Sequence, residues 1–405
     1  MATPTPHPSQ RPHLAAVVED HLYAAAGWVL ARAGWQPRLE PYAGYGTPDK
    51  VRVLARVVLS PRRPGTPNRD AVRAGRRGFR HFLTVPAPHR RVRIDVGGST
   101  SEVASDRAGY VDVELPAGAP LSDGWHTALL TCLDVPEPTE AEAPIRVLDE
   151  RTRFGVVSDI DDTTMVTAVP RPLLAAWNTF VRHSSARRAV PGMPELYRSL
   201  QRAHPDAAFF YLSTGAWNTA GTLRAFLSRH AYPPGPLLLT DWGPTLTGWF
   251  RSGQAHKRAS LELLMTWFPH VRWVLIGDDG QHDVVIYQET ARRRPDRVRV
   301  VAIRQLTGGQ QVLAGNAPHV GNGSHAGSGA LAGSGSRGGE AGSGIGESPV
   351  PTVAGRDGDE LARRLAVVPG VLADPERDPD PGPDPASGRD QAGPAGQTWF
   401  APPST

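Results

Sequence analysis

The stretch Phe154–Thr163 reads Phe-Gly-Val-Val-Ser-Asp-Ile-Asp-Asp-Thr, and it decides the fold of the segment that follows it. Its apolar and small residues end abruptly in three carboxylates, which is typical of a buried strand that ends at a turn. Crowded carboxylates repel one another unless a positive group lies among them. Asp159 and Asp161 lie two residues apart, so on a strand they point to the same side. Because Mg²⁺ prefers oxygen ligands, the pattern predicts a Mg²⁺ site.

The same residues have the chemistry for nucleophilic attack on phosphorus. Beside a divalent cation, the Asp159 carboxylate can attack a phosphoryl group and form an aspartyl-phosphate, which water then hydrolyses. Asp161 is placed to protonate the leaving oxygen and later to deprotonate the water. Thr163 is predicted to hold the substrate-binding loop by hydrogen bonding, and Asp162 to point away and cap the turn.

A second apolar run, Ala207–Gly215, also ends in hydroxyl residues. Ser213, Thr214 and Gly215 are predicted to bind a phosphate oxygen together with backbone N–H groups at the start of the next helix. The alternative is that Ser213 or Thr214 is a plain helix N-cap.

Lys257 precedes apolar residues at helical spacing, so it is predicted to lie at a helix N-terminus. The helix dipole disfavours a cation there unless an anion is close by. The chain has 44 lysines and arginines, of which only Lys50 and Lys257 are lysines. A lysine retained in so arginine-rich a chain indicates that a compact point charge is needed, and Lys257 is predicted to be catalytic and to bind substrate.

A third apolar run ends in Gly277-Asp278-Asp279, and Asp283 follows. Asp278 and Asp283 are predicted to complete a metal site with Asp159 and Asp161, and Asp283 to hold Lys257 or a metal-bound water. Asp279 is the alternative to Asp278 as the ligand.

Strand and helix patterns alternate from residue 154 to residue 303. This order predicts an α/β fold with a doubly wound parallel sheet, whose ligand site lies at the carboxyl ends of the strands. All four motifs lie at such strand ends or at a helix start, so the predicted topology and the predicted chemistry agree.

The order Asp159-x-Asp161-x-Thr163, Ser213, Lys257 and Gly277-Asp278…Asp283 resembles that of the haloacid-dehalogenase-like phosphohydrolases. Within that superfamily, the chain resembles bacterial relatives of the actin-patch phosphatidate phosphatase family of fungi. The segments that carry this second resemblance are Tyr42–Gly46, Ser158–Thr163, Pro191–Tyr197, Tyr211–Trp217 and His256–Arg258. The chain has Thr214-Gly215-Ala216-Trp217 where the family often has Asn-Ser-Pro-Trp after the serine.

The resemblance implies a haloacid-dehalogenase-like Rossmannoid domain and a Mg²⁺-dependent phosphoric monoester hydrolase. It further implies that phosphatidate is converted to diacylglycerol and phosphate. Two alternatives remain open: a phosphatase for a soluble phosphomonoester, and a non-catalytic scaffold that binds membranes or partners.

The domain order is predicted to be a helix in 1–34, a small antiparallel β-sandwich-like domain in 35–150, the phosphatase domain in 151–306 and a disordered tail in 307–405. The tail is rich in Gly, Ser and Pro, a composition that buries too little apolar area to fold. Within it, only 359–372 has the pattern of a short helix, which is interpreted as a docking segment. Between the first two motifs, 164–190 is predicted to be either a lid over a lipid phosphate or a helix packed on the sheet.

The formal net charge of +4 favours anionic partners such as acidic lipid head groups. The basic residues are scattered, and no nucleic-acid-binding motif occurs, so nucleic acid is not expected as a partner. No signal peptide is visible, and Cys132 is the only cysteine, which favours a reducing, cytoplasmic location. An amphipathic helix in 14–33 is predicted either to dock on the protein or to contact an anionic membrane peripherally.

Overall fold

The computed structural model describes residues 29–30, 32–61, 85–135, 138–166, 188–240, 253–280, 282–308, 310 and 349–372. The predicted helix in 1–34 and the predicted lid in 164–190 lie mostly outside these residues. Among the described residues, no helix is both long enough and apolar enough to cross a bilayer.

The amino-terminal domain is built from strands. They are β1 Trp35–Pro41, β2 Gly44–Gly46, β3 Lys50–Pro61, β4 Val85–Pro86, β5 Arg91–Val96, β6 Ser99–Ala104, β7 Tyr110–Pro116, β8 Gly124–Cys132 and β9 Thr139–Val147. Among the described residues, these nine strands form one hydrogen-bonded sheet in the order β1-β3-β2-β9-β8-β5-β6, and β4 and β7 pair with β3.

The sheet differs from the predicted antiparallel sandwich because it is a single sheet with one parallel pair of strands. Strands β2 and β9 pair in parallel, whereas the other strand pairs are antiparallel. Gly44 allows β2 to lie close to β3, because a Cβ there would lie 2.2 Å from the Arg52 carbonyl oxygen. Val53, Ile94 and Leu130, from separate parts of the sheet, share one buried core. The sheet therefore folds over a common interior, and the domain is sandwich-like although its strands form one mixed sheet.

The second sheet is parallel throughout, as predicted. Its strands are β10 Phe154–Asp159, β11 Ala208–Ala216, β12 Leu237–Thr240, β13 Arg272–Asp278, β14 Val298–Arg304 and β15 Thr352–Gly355. Their order is β12-β11-β10-β13-β14-β15. β10 is buried along its whole length, which explains its nearly continuous run of apolar and small residues.

Helices cover both faces of the parallel sheet. They are α1 Met193–Ala203, α2 Ala220–Arg229, α3 Gly253–Trp267, α4 Asp283–Arg293 and α5 Gly358–Ala366. On one face, α1, α2 and α5 share a core with alternate strand residues such as Val156, and on the other α3 and α4 pack against residues such as Val157. This alternation along β10 confirms the predicted two-sided α/β architecture.

Residues 349–372 differ from the predicted tail. They contribute β15, which pairs in parallel with β14, and α5, whose Leu361 and Leu365 are fully buried. The amino end of α5 lies against the amino end of α1, where a Cβ on Gly358 would be 2.0 Å from the Gly192 carbonyl carbon. Composition alone did not predict this packing, because the partner residues lie more than 150 positions away along the chain.

Two tyrosines of the amino-terminal domain pack into the parallel-sheet domain. The Tyr42 ring lies 4.6 Å from the Trp217 ring, and Tyr45 makes edge contacts with Phe210 and Trp267. Tyr45 is fully buried, and burial raises its pKa to about 12. The two domains therefore share apolar core contacts.

Candidate active site

The predicted site residues lie at one edge of the parallel sheet. Asp159 ends β10, Asp278 ends the neighbouring β13, and Ser213 lies in β11 on the other side of β10. Lys257 comes from α3 and Asp283 is the first residue of α4, and both helices cover the same face. Parallel strands end at a common edge, so residues more than 100 positions apart meet there.

Lys257 joins two of the carboxylates. Its Nζ lies 2.6 Å from Asp159 Oδ1 and 2.5 Å from Asp283 Oδ1, and the three side chains are at most 3% exposed. Helix α3 begins at Gly253, so Lys257 lies in its second turn and not at the predicted N-terminus. The carboxylates, and not the helix end, therefore hold the ammonium group in place.

Three of the four predicted metal ligands form a compact buried group. Asp159, Asp278 and Asp283 each offer an oxygen atom, and these atoms all lie within 4.8 Å of one another. Asp161, the fourth predicted ligand, is not part of this group.

Several carboxylate oxygens in the site remain without a donor. Asp159 Oδ2, Asp161 Oδ1 and Asp283 Oδ2 are buried and accept no hydrogen bond from the described residues. Buried anionic oxygens without donors are costly, and a divalent cation among them would offset that cost. The donor set, made only of carboxylate oxygens, therefore fits a hard divalent metal ion.

The pKa shifts express the same excess of negative charge. Burial raises the pKa of Asp159 well above its usual range, and the carboxylates around it add to the rise against the opposing effect of Lys257. Burial and the nearby Asp283 raise the pKa of Asp278 to about 7. Burial acts to lower the pKa of Lys257, but Asp159 and Asp283 outweigh it and raise that pKa. Lys257 is therefore a permanent cation that does not balance the acids alone.

Asp161 is oriented by the residues of the second motif. Ser213 Oγ donates to Asp161 Oδ2 at 2.9 Å and accepts a hydrogen bond from the Gly215 N–H, also at 2.9 Å. Asp161 Oδ1 stays free for another partner. Ser213 thus fixes one oxygen of Asp161 and leaves the other available for proton transfer.

The second motif differs from its prediction in local structure. β11 continues to Ala216, and a short 3₁₀ turn, Trp217–Thr219, precedes α2. Ser213 and Thr214 are therefore neither helix caps nor directly followed by a helix N-terminus. Thr214 and Gly215 are fixed through their carbonyl oxygens, which accept from Thr240 Oγ1 at 2.9 and 3.2 Å.

The geometry separates Asp278 from Asp279. Asp278 lies in the carboxylate group, whereas Asp279 Oδ1 accepts a hydrogen bond from the Leu306 N–H at 2.8 Å. Thr163 is fully buried, and its Oγ1 lies 3.4 Å from Asp278 Oδ2. Of the two candidates, Asp278 is the one placed to bind a cation.

Three supporting residues were not assigned a role from the sequence. Tyr197 of α1 forms a short hydrogen bond with Ser158, which also donates to the Asp159 carbonyl oxygen at 2.7 Å. A Cβ on Gly277 would lie 2.7 Å from Asp283 Oδ2, so glycine is what lets Asp283 approach. Arg304, which ends β14, is buried beside the site. An arginine at the end of an apolar strand was the signal available in the sequence.

Comparisons with known proteins find similarity in the segment of the chain that contains the site. Residues 154–305 match the family described as phosphatidate phosphatase APP1, catalytic domain. The phosphatidate phosphatase APP1 of Saccharomyces cerevisiae is 27% identical over 152 residues, which cover 37% of this chain and 26% of that protein. An uncharacterised protein of Schizosaccharomyces pombe is 29% identical over 171 residues, covering 40% of this chain and 26% of that protein. The chain thus matches about a quarter of the length of these relatives.

Among solved structures, a carbohydrate acetylesterase from Xanthomonas citri aligns with 8% identity and a TM-score of 0.26 over 69% of this chain and 73% of that chain. A likeness this weak carries no argument about fold or function. The family match covers β10 to β14 with the whole carboxylate group and Lys257, and it confirms, for residues 154–305, the predicted resemblance to the phosphatidate phosphatase APP1 catalytic domain family.

Proposed function

We propose that the parallel-sheet domain is a Mg²⁺-dependent phosphatase that hydrolyses phosphatidate to diacylglycerol and phosphate through an aspartyl-phosphate at Asp159. The observation that carries the proposal is the state of the Asp159 carboxylate. One of its oxygens is held by Lys257, and the other is buried without a donor beside two more carboxylates. The similarity of this segment to a phosphatidate phosphatase family supports the choice of reaction and substrate.

The metal would be held by Asp159, Asp278 and Asp283, and it would supply positive charge that lets an anionic phosphate approach an anionic carboxylate. The protein's own contribution begins with Lys257. By binding Asp159 Oδ1, its ammonium group orients the carboxylate so that Oδ2 is free to attack. The same ammonium is a fixed donor for the phosphate oxygens.

In the first step, Asp159 Oδ2 forms a bond to phosphorus while the bond from phosphorus to the substrate's alcohol oxygen breaks. Asp161 donates its proton to that departing oxygen, which leaves as the alcohol. Ser213 assists by fixing Asp161 Oδ2, so that the free Oδ1 side carries the proton exchange.

In the second step, Asp161, now a carboxylate, takes a proton from water. The water oxygen bonds to phosphorus, and the bond between phosphorus and Asp159 breaks, which regenerates the Asp159 carboxylate and releases inorganic phosphate. One residue thus acts as acid and then as base.

The test is a comparison of two phosphomonoesters with the same head group. Phosphate release is measured with Mg²⁺ on phosphatidate in detergent micelles and on glycerol 3-phosphate, which lacks the acyl chains, with the Asp159→Asn variant as the control. We expect release from phosphatidate, little from glycerol 3-phosphate and none in the variant. Preference for the soluble ester would assign the enzyme to soluble substrates, and no release from either would favour the scaffold role.

The cytoplasmic location and the peripheral contact with anionic membranes remain proposals based on sequence. The membrane contact can be tested on the full chain by cosedimentation with vesicles of neutral lipid, with and without phosphatidate. Retention only on the anionic vesicles is the expected result.

A further inference from the structure

Arg304 lies at the same edge of the sheet as the carboxylate group. It is the last residue of β14 and pairs in register with Asp278, the last residue of β13. Its side chain is almost entirely buried, with 4% of the residue exposed. A buried guanidinium at this position requires partners that satisfy its donors.

The guanidinium has three partners that belong to three different parts of the chain. Nη1 donates to the Asp162 carbonyl oxygen, Nε to the Arg356 carbonyl oxygen at 3.2 Å, and Nη2 to Gln310 Oε1 at 3.2 Å. A planar guanidinium can donate hydrogen bonds in three directions from separate nitrogen atoms, whereas the ammonium group of a lysine donates all its hydrogen bonds from one atom.

The contact with Asp162 bears on the proposed catalytic turn. Asp162 has a φ of +57°, in the left-handed region that most residues avoid, and it lies between Asp161 and Thr163. Such a conformation persists only where its surroundings hold it. By holding the Asp162 carbonyl, Arg304 fixes the backbone from which Asp161 and Thr163 project.

The contact with Arg356 brings in the segment 349–372. Arg356 lies between β15 and α5, beyond the end of the family match at residue 305. Its carbonyl oxygen and that of Asp162 bind the same guanidinium. A single side chain thus connects the carboxyl-terminal segment with the turn that carries the proposed acid and base.

We propose that Arg304 is a positioning residue that holds the Asp161–Thr163 turn in its active conformation, and that segment 349–372 contributes to the site by fixing Arg304. This inference rests on the proposed phosphatase function, but its structural core can be tested through metal binding without turnover. Because Thr163 and Asp278 lie next to each other, a displaced turn disturbs the metal site as well.

Arg299 provides a matched control on the same strand. Its Nη1 donates to the Pro369 carbonyl oxygen at 3.5 Å, so it also connects β14 to segment 349–372, but it lies near the opposite end of the strand. The variants Arg304→Lys, Arg304→Gln, Arg299→Lys and Arg299→Gln are compared in the full chain. For each, kcat, KM, the Mg²⁺ dissociation constant by calorimetry without substrate, and the Tm are measured.

For both Arg304 variants, we expect kcat to fall and the Mg²⁺ dissociation constant to rise by about 10- to 100-fold, the usual effect of losing an outer partner of a metal site. KM should change little, because each of the three guanidinium nitrogens of Arg304 already donates to a group of the protein. The Arg299 variants should keep kcat and Mg²⁺ affinity within about twofold. The reason is that Arg299 lies near the opposite end of β14 from the carboxylate group.

Arg304 would be a purely structural residue if its variants lowered Tm as the Arg299 variants do but left kcat and Mg²⁺ affinity unchanged, and this would overturn the proposal. If Arg304→Gln does not fold, the positioning role is tested with Arg304→Lys alone, because lysine keeps the charge and most of the aliphatic part of the side chain. If the wild-type protein releases no phosphate and only the Arg304 variants lose Mg²⁺ affinity, the phosphatase proposal fails while the positioning role stands.

Discussion

Two groups of charged side chains, one in each domain, use similar residues in different ways. In the amino-terminal domain, Arg52 of β3 binds both oxygens of Asp112 on β7 at 2.6 Å and donates to Tyr45 Oη at 2.8 Å. In the parallel-sheet domain, Lys257 binds one oxygen each of Asp159 and Asp283 at similar distances.

The two groups differ in solvent exposure and in the balance of positive and negative charges. The Arg52 and Asp112 side chains are 21% and 46% exposed, one charge meets one charge, and both Asp112 oxygens are occupied. The group around Lys257 is at most 3% exposed, has more acids than bases, and leaves oxygens without donors. A balanced, half-exposed pair stabilises a sheet modestly, whereas an unbalanced, buried group requires a further cation and so marks a binding site.

Removing the proposed nucleophile is the strongest test of the difference between the two charged groups. Asp159→Asn keeps the size of the side chain but loses the attacking carboxylate, so phosphate release should fall about ten-thousandfold or more, as when other enzymes lose their nucleophile. The assay measures phosphate from phosphatidate micelles with Mg²⁺. The Tm of the metal-free variant should not fall, because one of several repelling charges is gone. Turnover near the wild-type rate would refute the role of Asp159.

Replacing Lys257 tests the charge balance of the buried group by removing its positive side chain. Lys257→Met leaves buried carboxylates without their partner, and we expect a loss of about 3–5 kcal/mol in the free energy of unfolding, measured with urea. The matched control is Lys50→Met, since Lys50 is the other lysine and is exposed. Similar losses in both variants would contradict the special role of the buried carboxylates around Lys257. Lys257→Arg should fold better than Lys257→Met but remain poorly active, because a planar guanidinium does not replace the compact ammonium.

The missing positive charge can be supplied as Mg²⁺. At about 100 times its dissociation constant, Mg²⁺ should stabilise the wild-type protein by about 2.7 kcal/mol, and chelation by EDTA should reverse the effect. Asp278→Asn should reduce the shift in Tm on Mg²⁺ titration, whereas its neighbour variant Asp279→Asn should keep it. The reverse pattern would assign the metal ligand to Asp279.

A smaller effect is expected at the hydroxyl that orients Asp161. Ser213→Ala removes the hydrogen bond to Asp161 Oδ2, and kcat should fall about 10- to 100-fold, since hydrogen bonds to charged groups contribute about 1.5–3 kcal/mol. Thr214→Val is the control, because the hydrogen bond of Thr214 described above uses its backbone carbonyl oxygen, which the substitution keeps. Equal losses in the two variants would indicate that the loop, and not the Ser213 hydroxyl, matters.

The smallest effect is expected in the amino-terminal domain. Asp112→Asn weakens the pair with Arg52, and the free energy of unfolding should fall by less than about 1 kcal/mol, as is usual for exposed ion pairs. Phosphate release should not change. A loss of activity in this variant would show that the β domain influences the site through charge.

The sequence predicted the parallel sheet and the edge at which the site lies, because β10, β11 and β13 each combine a buried apolar run with polar residues at its end. It predicted the meeting of Asp159, Asp278, Asp283 and Lys257 for the same reason. It placed Lys257 wrongly in its helix, since the first four helical residues, Gly253–His256, gave no apolar periodicity.

What the sequence did not predict depends on contacts between distant residues. The packing of Gly358 against Gly192 leaves no local pattern, and the arginine at the end of β14 did not show which residues its guanidinium binds. Residues 349–372 are also flanked by Gly-, Ser- and Pro-rich stretches, so the strand β15 was not predicted, whereas the short helix expected in 359–372 is present as α5. Choosing between Asp278 and Asp279 required knowing that the Leu306 N–H occupies Asp279.

One backbone arrangement near the site has a consequence for how the protein can be modified. The Val166 N–H donates to the Arg188 carbonyl oxygen, and the Val190 N–H donates to the Thr164 carbonyl oxygen, so 164–166 and 188–190 are held side by side as a two-stranded bridge. Tyr232 Oη also donates to the Thr164 carbonyl oxygen at 2.8 Å and anchors the bridge to the core. Replacing residues 167–187 by a shorter or foreign sequence should therefore leave the bridge in place, because the hydrogen bonds that hold it come from residues on either side of that stretch.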